Sequence, residues 1–249
     1  MITHAVVDGR PARGSDIGLA LAARAGHFTA MQVRGGRVRG LAEHLRRLER
    51  ATRELFGLQP DRDLVLASLR AAVSEAADAS VRVHVARTDA LHVIVDAGPP
   101  VDAPASPRRL KTVAYQRFLP HVKHGGGFPQ AHLARLAQAE GFDDVLLIGA
   151  DGLISETSIA NLGCFDGERI VWPDAPMLEG ITMRLLSRGP HGRRPLRVAD
   201  LPAFPAVFVC NSWGVSPVGG VDELELKTDE AAYARVVSRY EDTPWDPIG

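Results

Sequence analysis

Lys123 stands in the stretch Leu119-Pro-His-Val-Lys-His-Gly-Gly-Gly-Phe, and Glu156 follows in Ile154-Ser-Glu-Thr-Ser-Ile-Ala-Asn-Leu. A lysine amine condenses with a carbonyl when part of it is deprotonated, a state that burial and neighbouring cations favour. A carboxylate beside a nitrogen heterocycle stabilises its protonated form and makes the ring a better electron sink. His121, His124 and the run Gly125-Gly126-Gly127 bracket the lysine. Glycines leave space for a bulky ring to approach the backbone. Taken singly, Lys123 reads as a solvated loop lysine and Glu156 as a surface acid. Taken together, they supply an amine and an anion for carbanion chemistry on a bound aldehyde. Asn161, just beyond Glu156, can hydrogen-bond a cofactor oxygen or a turn backbone.

Such residues need elements to position them. Ala5-Val-Val-Asp-Gly-Arg predicts a strand entering a turn, and the text from His27 to Val38 predicts a hairpin around Gly35-Gly36. Leu41, Leu45, Leu48, Ala51 and Leu55 recur at helical spacing, as do Val65, Leu69, Ala72, Val73 and Ala76 in the next segment. Alternation with period two returns at Val81-Arg-Val-His-Val-Ala-Arg and Leu91-His-Val-Ile-Val-Asp, which predicts strands. Pro99, Pro100, Pro104 and Pro107 then mark a connector. Beyond it the pattern predicts a helix over 129–140, strands at 144–148, 153–156, 162–165, 169–172 and 206–210, and helices near 182–187 and 229–240. Asp151-Gly152 and Asp166-Gly167 are hairpin turns. The mixture is α/β in the α+β sense.

At 249 residues the chain is long enough for one large domain or two small ones. Its net charge of −1 gives no electrostatic reason to expect nucleic acid as a partner. No stretch approaches the ~20 apolar residues of a membrane span. The start of the chain lacks a basic segment leading into an apolar run, so no secretory signal is expected. Cys164 and Cys210 are too few for a disulfide framework and lack metal-ligand spacing, so reduced core cysteines and no metal are expected. A cytoplasmic enzyme acting on small molecules fits these limits.

Four motifs, in order, carry a resemblance. Glu43-His-Leu-Arg-Arg47-Leu, Lys123, Glu156-Thr-Ser-Ile-Ala-Asn161 and Leu178-Glu-Gly-Ile-Thr182 are similar to the class IV, fold type IV pyridoxal phosphate family, over about 27–222. That family includes branched-chain and D-amino acid aminotransferases and 4-amino-4-deoxychorismate lyase. The resemblance implies that Lys123 forms the Schiff base with pyridoxal 5'-phosphate and moves the substrate proton, and that Glu156 pairs with the pyridine nitrogen. It further implies phosphate binding by Arg47, by Gly180, Ile181 and Thr182 at a helix start, and by the loop Asn211-Ser212-Trp-Gly-Val-Ser-Pro-Val. Without the family, Arg47 reads as an exposed helix arginine beside Arg46 and Arg50, and Gly-Ile-Thr as a helix entry.

The substrate side departs from the pattern. Thr29 follows Phe28 where transaminases commonly carry glutamate, as in aminodeoxychorismate lyases. Arg82 matches the strand arginine of branched-chain enzymes, and Arg24 and His27 are further candidates for contacting the substrate. Thr88-Asp-Ala-Leu offers no match to the carboxylate trap of D-amino acid aminotransferases.

The expected architecture is a smaller α+β domain over 1–115 and a larger one over 116–249 with a barrel-like sheet, the cofactor lying between them in a homodimer. The expected activity is pyridoxal phosphate-dependent transfer of an amino group between a small amino acid and a 2-keto acid. The alternative is β-elimination of the aminodeoxychorismate lyase type, releasing pyruvate.

Overall fold

Val81, Val83 and Val85 alternate with Arg82 and His84, so one strand face is apolar and the other polar. In the computed structural model, which describes residues 2–74 and 76–248, these valines are buried. The described residues form two units: 2–101 with Val122–Gly126 and 244–248, and Asp102–His121 with Gly127–Thr243. The expected division at 115 falls inside the second unit. The cause is a strand that follows the prolines and pairs only with partners in the second unit.

The first unit is built on β1 (His4–Val7), β2 (Arg10–Pro11), β3 (His27–Arg34), β4 (Arg37–Arg39), β5 (Ala79–Arg87) and β6 (Leu91–Gly98). With Trp245–Pro247 at one edge they form an antiparallel sheet of seven strands in the order Trp245–Pro247, β4, β3, β5, β6, β1, β2. A short helix, α1 (Ile17–Ala22), precedes β3. Two longer ones, α2 (Leu41–Phe56) and α3 (Arg62–Val73), cover one sheet face. Leu45 and Leu48 of α2 and Val65 and Leu69 of α3 pack with Val81, Val83, Val85 and Val95. Each fully buried side chain of this size contributes about 1.5–3 kcal/mol. Gly40 and Gly57 bound α2 with left-handed φ of 72° and 67°, a conformation cheap only for glycine. Asp61 caps α3 by accepting from the N–H groups of Asp63 and Leu64.

The second unit carries β7 (Arg108–Ala114), β8 (Asp144–Ile148), β9 (Ile154–Thr157), β10 (Asn161–Phe165), β11 (Ile170–Pro173), β12 (His191–Arg194), β13 (Ala206–Asn211), β14 (Gly214–Val221) and β15 (Leu224–Glu225). They pair in the order β12-β11-β10-β13-β14-β7-β8-β9, with β15 on β14. Leu110, Leu146, Ile154, Leu162, Val207 and Val218, from six of these strands, meet in one core, so the sheet curls about its own interior. On the other side Phe165, Trp172 and Phe208 pack with Met183 and Leu186 of α5 (Ile181–Leu186) and Val236 of α6 (Glu230–Glu241). A further helix, α4 (Phe128–Ala139), lays Ala137 on Val145 and Leu147. Cys164 and Cys210 are buried and unbridged, and burial pushes the Cys164 thiol up to about 12. Among the described residues no helix is long and apolar enough to cross a membrane.

Candidate active site

Lys123 is seated by backbone contacts within the first unit. Its carbonyl accepts from the N–H of Phe28 at 2.9 Å, the N–H of Gly125 donates to the Gly26 carbonyl at 2.8 Å, and His124 bridges His27. The segment therefore continues the edge of β3, and the lysine amine lies 4.9 Å from the centroid of the Phe28 ring. Gly125 has a steric reason. A Cβ there would fall 2.6 Å from the carbonyl oxygens of both Ala23 and Arg24. The space expected to admit a ring at this glycine is occupied by the turn at 23–25, whereas a Cβ at Gly127 would meet nothing.

Alternation along β3 sorts the neighbouring residues. His27 and Thr29 share a face with Met31 and Val33, against α2. Thr29 Oγ1 is 2.7 Å from His44 Nδ1, and His27 Nε2 is 2.9 Å from Thr52 Oγ1. Both side chains are sealed, at 0% and 1% exposure. Thr29 and His27, both expected to contact the substrate, tie β3 to α2 through these side chains. Burial, reinforced by the Arg47 charge, holds the His44 imidazole down at about 3. Burial, with a smaller effect of His84, holds His27 at about 4. Arg47 is 7% exposed on the same helix, while Arg46 is exposed and pairs with Glu43. A sequestered guanidinium, charged at any working pH, has the chemistry to hold an anion.

Phe28 points to the opposite sheet face. Directly across from it, His84 stacks on its ring at 5.3 Å between centroids. Arg82 shares that face, half exposed, with its Nη1 3.4 Å from Asp96 Oδ1. Arg24 is exposed in the turn at 23–25.

The second unit gathers most of the other expected residues into one network. Glu156, 4% exposed near the end of β9, accepts from the Leu178 N–H at 3.3 Å. Asn161, at the start of β10, donates to the Leu178 carbonyl at 2.6 Å and accepts from the Gly180 N–H at 3.0 Å. A larger residue at Gly180 would have to displace the Asn161 side chain, because a Cβ would meet Asn161 Oδ1 at 2.3 Å. It opens α5, where Ile181 and Thr182 stand in the first turn with no side-chain cap. The Thr182 hydroxyl donates to the Asn211 carbonyl at 2.5 Å, so Thr182 has its backbone N–H, rather than its hydroxyl proton, for an anion. The stretch expected as a loop after Asn211 is shorter than that. Ser212 and Trp213 form the turn, and β14 begins at Gly214.

Arg117 was not singled out by the sequence. It is 8% exposed, and its Nη1 lies 3.5 Å from Glu156 Oε1, which compensates the buried carboxylate. No local pattern marks it; only the fold brings it to Glu156. His44 had a signal, since it lies within the Glu43-His-Leu-Arg-Arg47-Leu motif. Among the described residues no group of three or more His, Cys, Asp or Glu could hold a metal ion.

The family model for class IV amino-transferases matches residues 26–221, which span both arrangements apart from the turn at 23–25. The chain belongs to the class IV amino-transferase family. No curated protein sequence matches this class IV chain. Solved structures do. A hypothetical aminotransferase from Mycobacterium tuberculosis, in a PLP-bound form, superposes with a TM-score of 0.79 at 22% identity, over 95% of this chain and 98% of that one. The 4-amino-4-deoxychorismate lyase from Pseudomonas aeruginosa gives 0.75 at 28% identity, over 96% and 98%. The branched-chain amino acid aminotransferase of Escherichia coli gives 0.78 at 17% identity, over the full length of both chains. The class IV chain is thus an enzyme whose two-sheet fold is shared by aminotransferases and a lyase.

Proposed function

We propose that this enzyme is a pyridoxal 5'-phosphate-dependent aminotransferase that moves an amino group between a small amino acid and a 2-keto acid. The observation that carries the reading is the arrangement around Glu156: a buried carboxylate, compensated by Arg117, in one hydrogen-bonded network with Asn161 and Gly180. The donor set fits the cofactor. Glu156 would hold its ring nitrogen, while Arg47 and the N–H groups of Ile181 and Thr182 would hold its phosphate, aided by the Asn211-Ser212 turn. When bound, the cofactor supplies an electron sink for the bond broken at the substrate's α-carbon.

Lys123 would carry the cofactor through its amine and, once displaced by substrate, take and return the α-proton at Nζ. Phe28 supplies an apolar surface beside that amine, and Arg82 would orient a substrate carboxylate. Arg24 is a second cation that a carboxylate could reach. The PLP-bound form of the mycobacterial structure supports the choice of cofactor. A cytoplasmic homodimer completes the reading.

The test is spectroscopic. Protein incubated with pyridoxal phosphate should gain a visible band that Lys123→Ala lacks, and an amino donor should bleach that band as pyridoxamine phosphate accumulates. A wild-type protein that stays colourless refutes the assignment. One observation favours lyase chemistry instead, the 28% identity to the Pseudomonas lyase. If pyruvate is released from aminodeoxychorismate and no donor yields pyridoxamine phosphate, β-elimination is the activity.

A further inference from the structure

His84 has no role in the scheme above, yet it lies on the Phe28 face of the sheet in the first unit. Asp96 connects it to Arg82. The carboxylate accepts from His84 Nε2 at Oδ2, 2.8 Å away, and meets Arg82 Nη1 at Oδ1, 3.4 Å away. Register explains the geometry: Arg82 is directly opposite Asp96 across β5 and β6, and His84 reaches it on the diagonal. The two contacts differ in quality. The imidazole contact is of ordinary hydrogen-bond length and lies among side chains that are 21% and 13% exposed. The guanidinium contact is long, and the Arg82 side chain is 53% exposed, so solvent weakens it. Among the described residues Asp96 has no third side-chain partner.

We propose that His84 is a specificity-determining residue that occupies Asp96 and so leaves the Arg82 guanidinium for the carboxylate of the substrate. The inference rests on the reading of this face as the substrate side of the Lys123 centre. A guanidinium has five N–H donors, and the long contact to Asp96 engages one of them. A carboxylate ligand can take the remaining fork in bidentate fashion while Asp96 keeps its bond to the imidazole. Remove the imidazole and Arg82 becomes the sole partner of Asp96, so the ligand then competes with an internal carboxylate for the same cation. His84 therefore acts on affinity for the acid group, not on proton transfer at Nζ.

Glutarate, a dicarboxylate without an amine, is the probe, titrated calorimetrically into the cofactor-loaded protein. His84→Leu should weaken glutarate binding about twofold to fivefold, as expected when an exposed ion pair must be broken to bind. It should raise the KM of amino donors by a similar factor with kcat little changed. Asp96→Asn added to His84→Leu should restore the affinity, and His84→Gln, whose amide can donate to Asp96, should recover most of it. A merely structural role for His84 predicts no rescue by the second substitution. Unchanged glutarate affinity in His84→Leu, or no rescue in the double variant, overturns the proposal. The Lys123 assignment is scored separately by the visible band. A protein that gains the band but fails the glutarate series loses only this inference, and one that never gains the band loses the enzyme reading and this inference with it.

Discussion

Gly125→Ala tests the seat of Lys123. An added Cβ lies 2.6 Å from two carbonyl oxygens, those of Ala23 and Arg24, where ordinary contact begins at 3.4 Å. One side must therefore yield by about 0.8 Å. Both obstacles are backbone, so no rotamer change relieves them. The movement acts directly on the Phe28–Lys123 and Gly125–Gly26 hydrogen bonds, of 2.9 Å and 2.8 Å. Overpacking of this kind costs about 1–3 kcal/mol, and a lost backbone hydrogen bond adds about 1 kcal/mol. The expected loss is about 2–4 kcal/mol, or roughly 4–16 °C in Tm for a chain of this size. Gly127→Ala is the control, because its Cβ meets nothing and its φ of −88° suits any residue. Melting curves give the stability. The yield of borohydride-trapped cofactor on Lys123, read by mass spectrometry, reports the position of the amine. Wild-type melting and trapping in Gly125→Ala, or an equal fall in Gly127→Ala, would refute the steric account.

Three further outcomes follow from the buried polar groups. Glu156→Gln leaves Arg117 facing a neutral amide inside the second unit, and urea unfolding should register a loss of about 3 kcal/mol, partly recovered by adding Arg117→Met; wild-type stability in Glu156→Gln counts against the pairing. Asn161→Ala removes bonds to Leu178 and Gly180, so exchange of the Gly180 amide should accelerate about tenfold or more; an unchanged rate contradicts the network. His27 and His44 stay neutral in the fold down to about 4 and 3. Below the usual histidine value near 6.5 the unfolded chain takes up protons that the folded chain refuses. Stability should thus be full above pH ~6.5 and fall by up to about 1.4 kcal/mol per pH unit for each histidine as pH drops toward 4. His44→Gln should flatten that slope; an unaltered profile would mean that His44 does not cause it.

Where local pattern and tertiary demand agree, the sequence is readable. Leu41, Leu45 and Leu48 mark the stripe that α2 buries, and glycines at both ends stop the helix where the pattern stops. β7 escapes because its partners, β8 and β14, run parallel to it and come from far along the chain, so no adjacent turn announces the pairing. β14 reads as a loop because of Pro217. That proline sits opposite Phe208 at the last pair with β13, and pairing with β7 begins at Val218, so its missing N–H falls where one partner gives way to another. The chemistry-bearing residues are legible by type, but the direction of each side chain is a matter of register. A one-residue step on β3 separates Phe28, beside the lysine amine, from Thr29, sealed against α2. Arg117 gives no sign of its partnership with Glu156 until β9 is in place.

The strand Trp245–Pro247 closes the edge of β4, and Asp246 accepts from the N–H of Leu41, 205 positions earlier. On the ribosome, β4 and the start of α2 are therefore made long before the backbone that covers them. Until then the nascent sheet exposes a bare hydrogen-bonding edge, the kind that recruits another chain. Arg37 and Arg39 flank Val38 on that edge. Two positive charges on a three-residue strand discourage a premature partner during the wait, and Arg39 later stacks on the Trp245 ring at 4.3 Å. The same arginine that keeps the open edge soluble becomes part of what closes it.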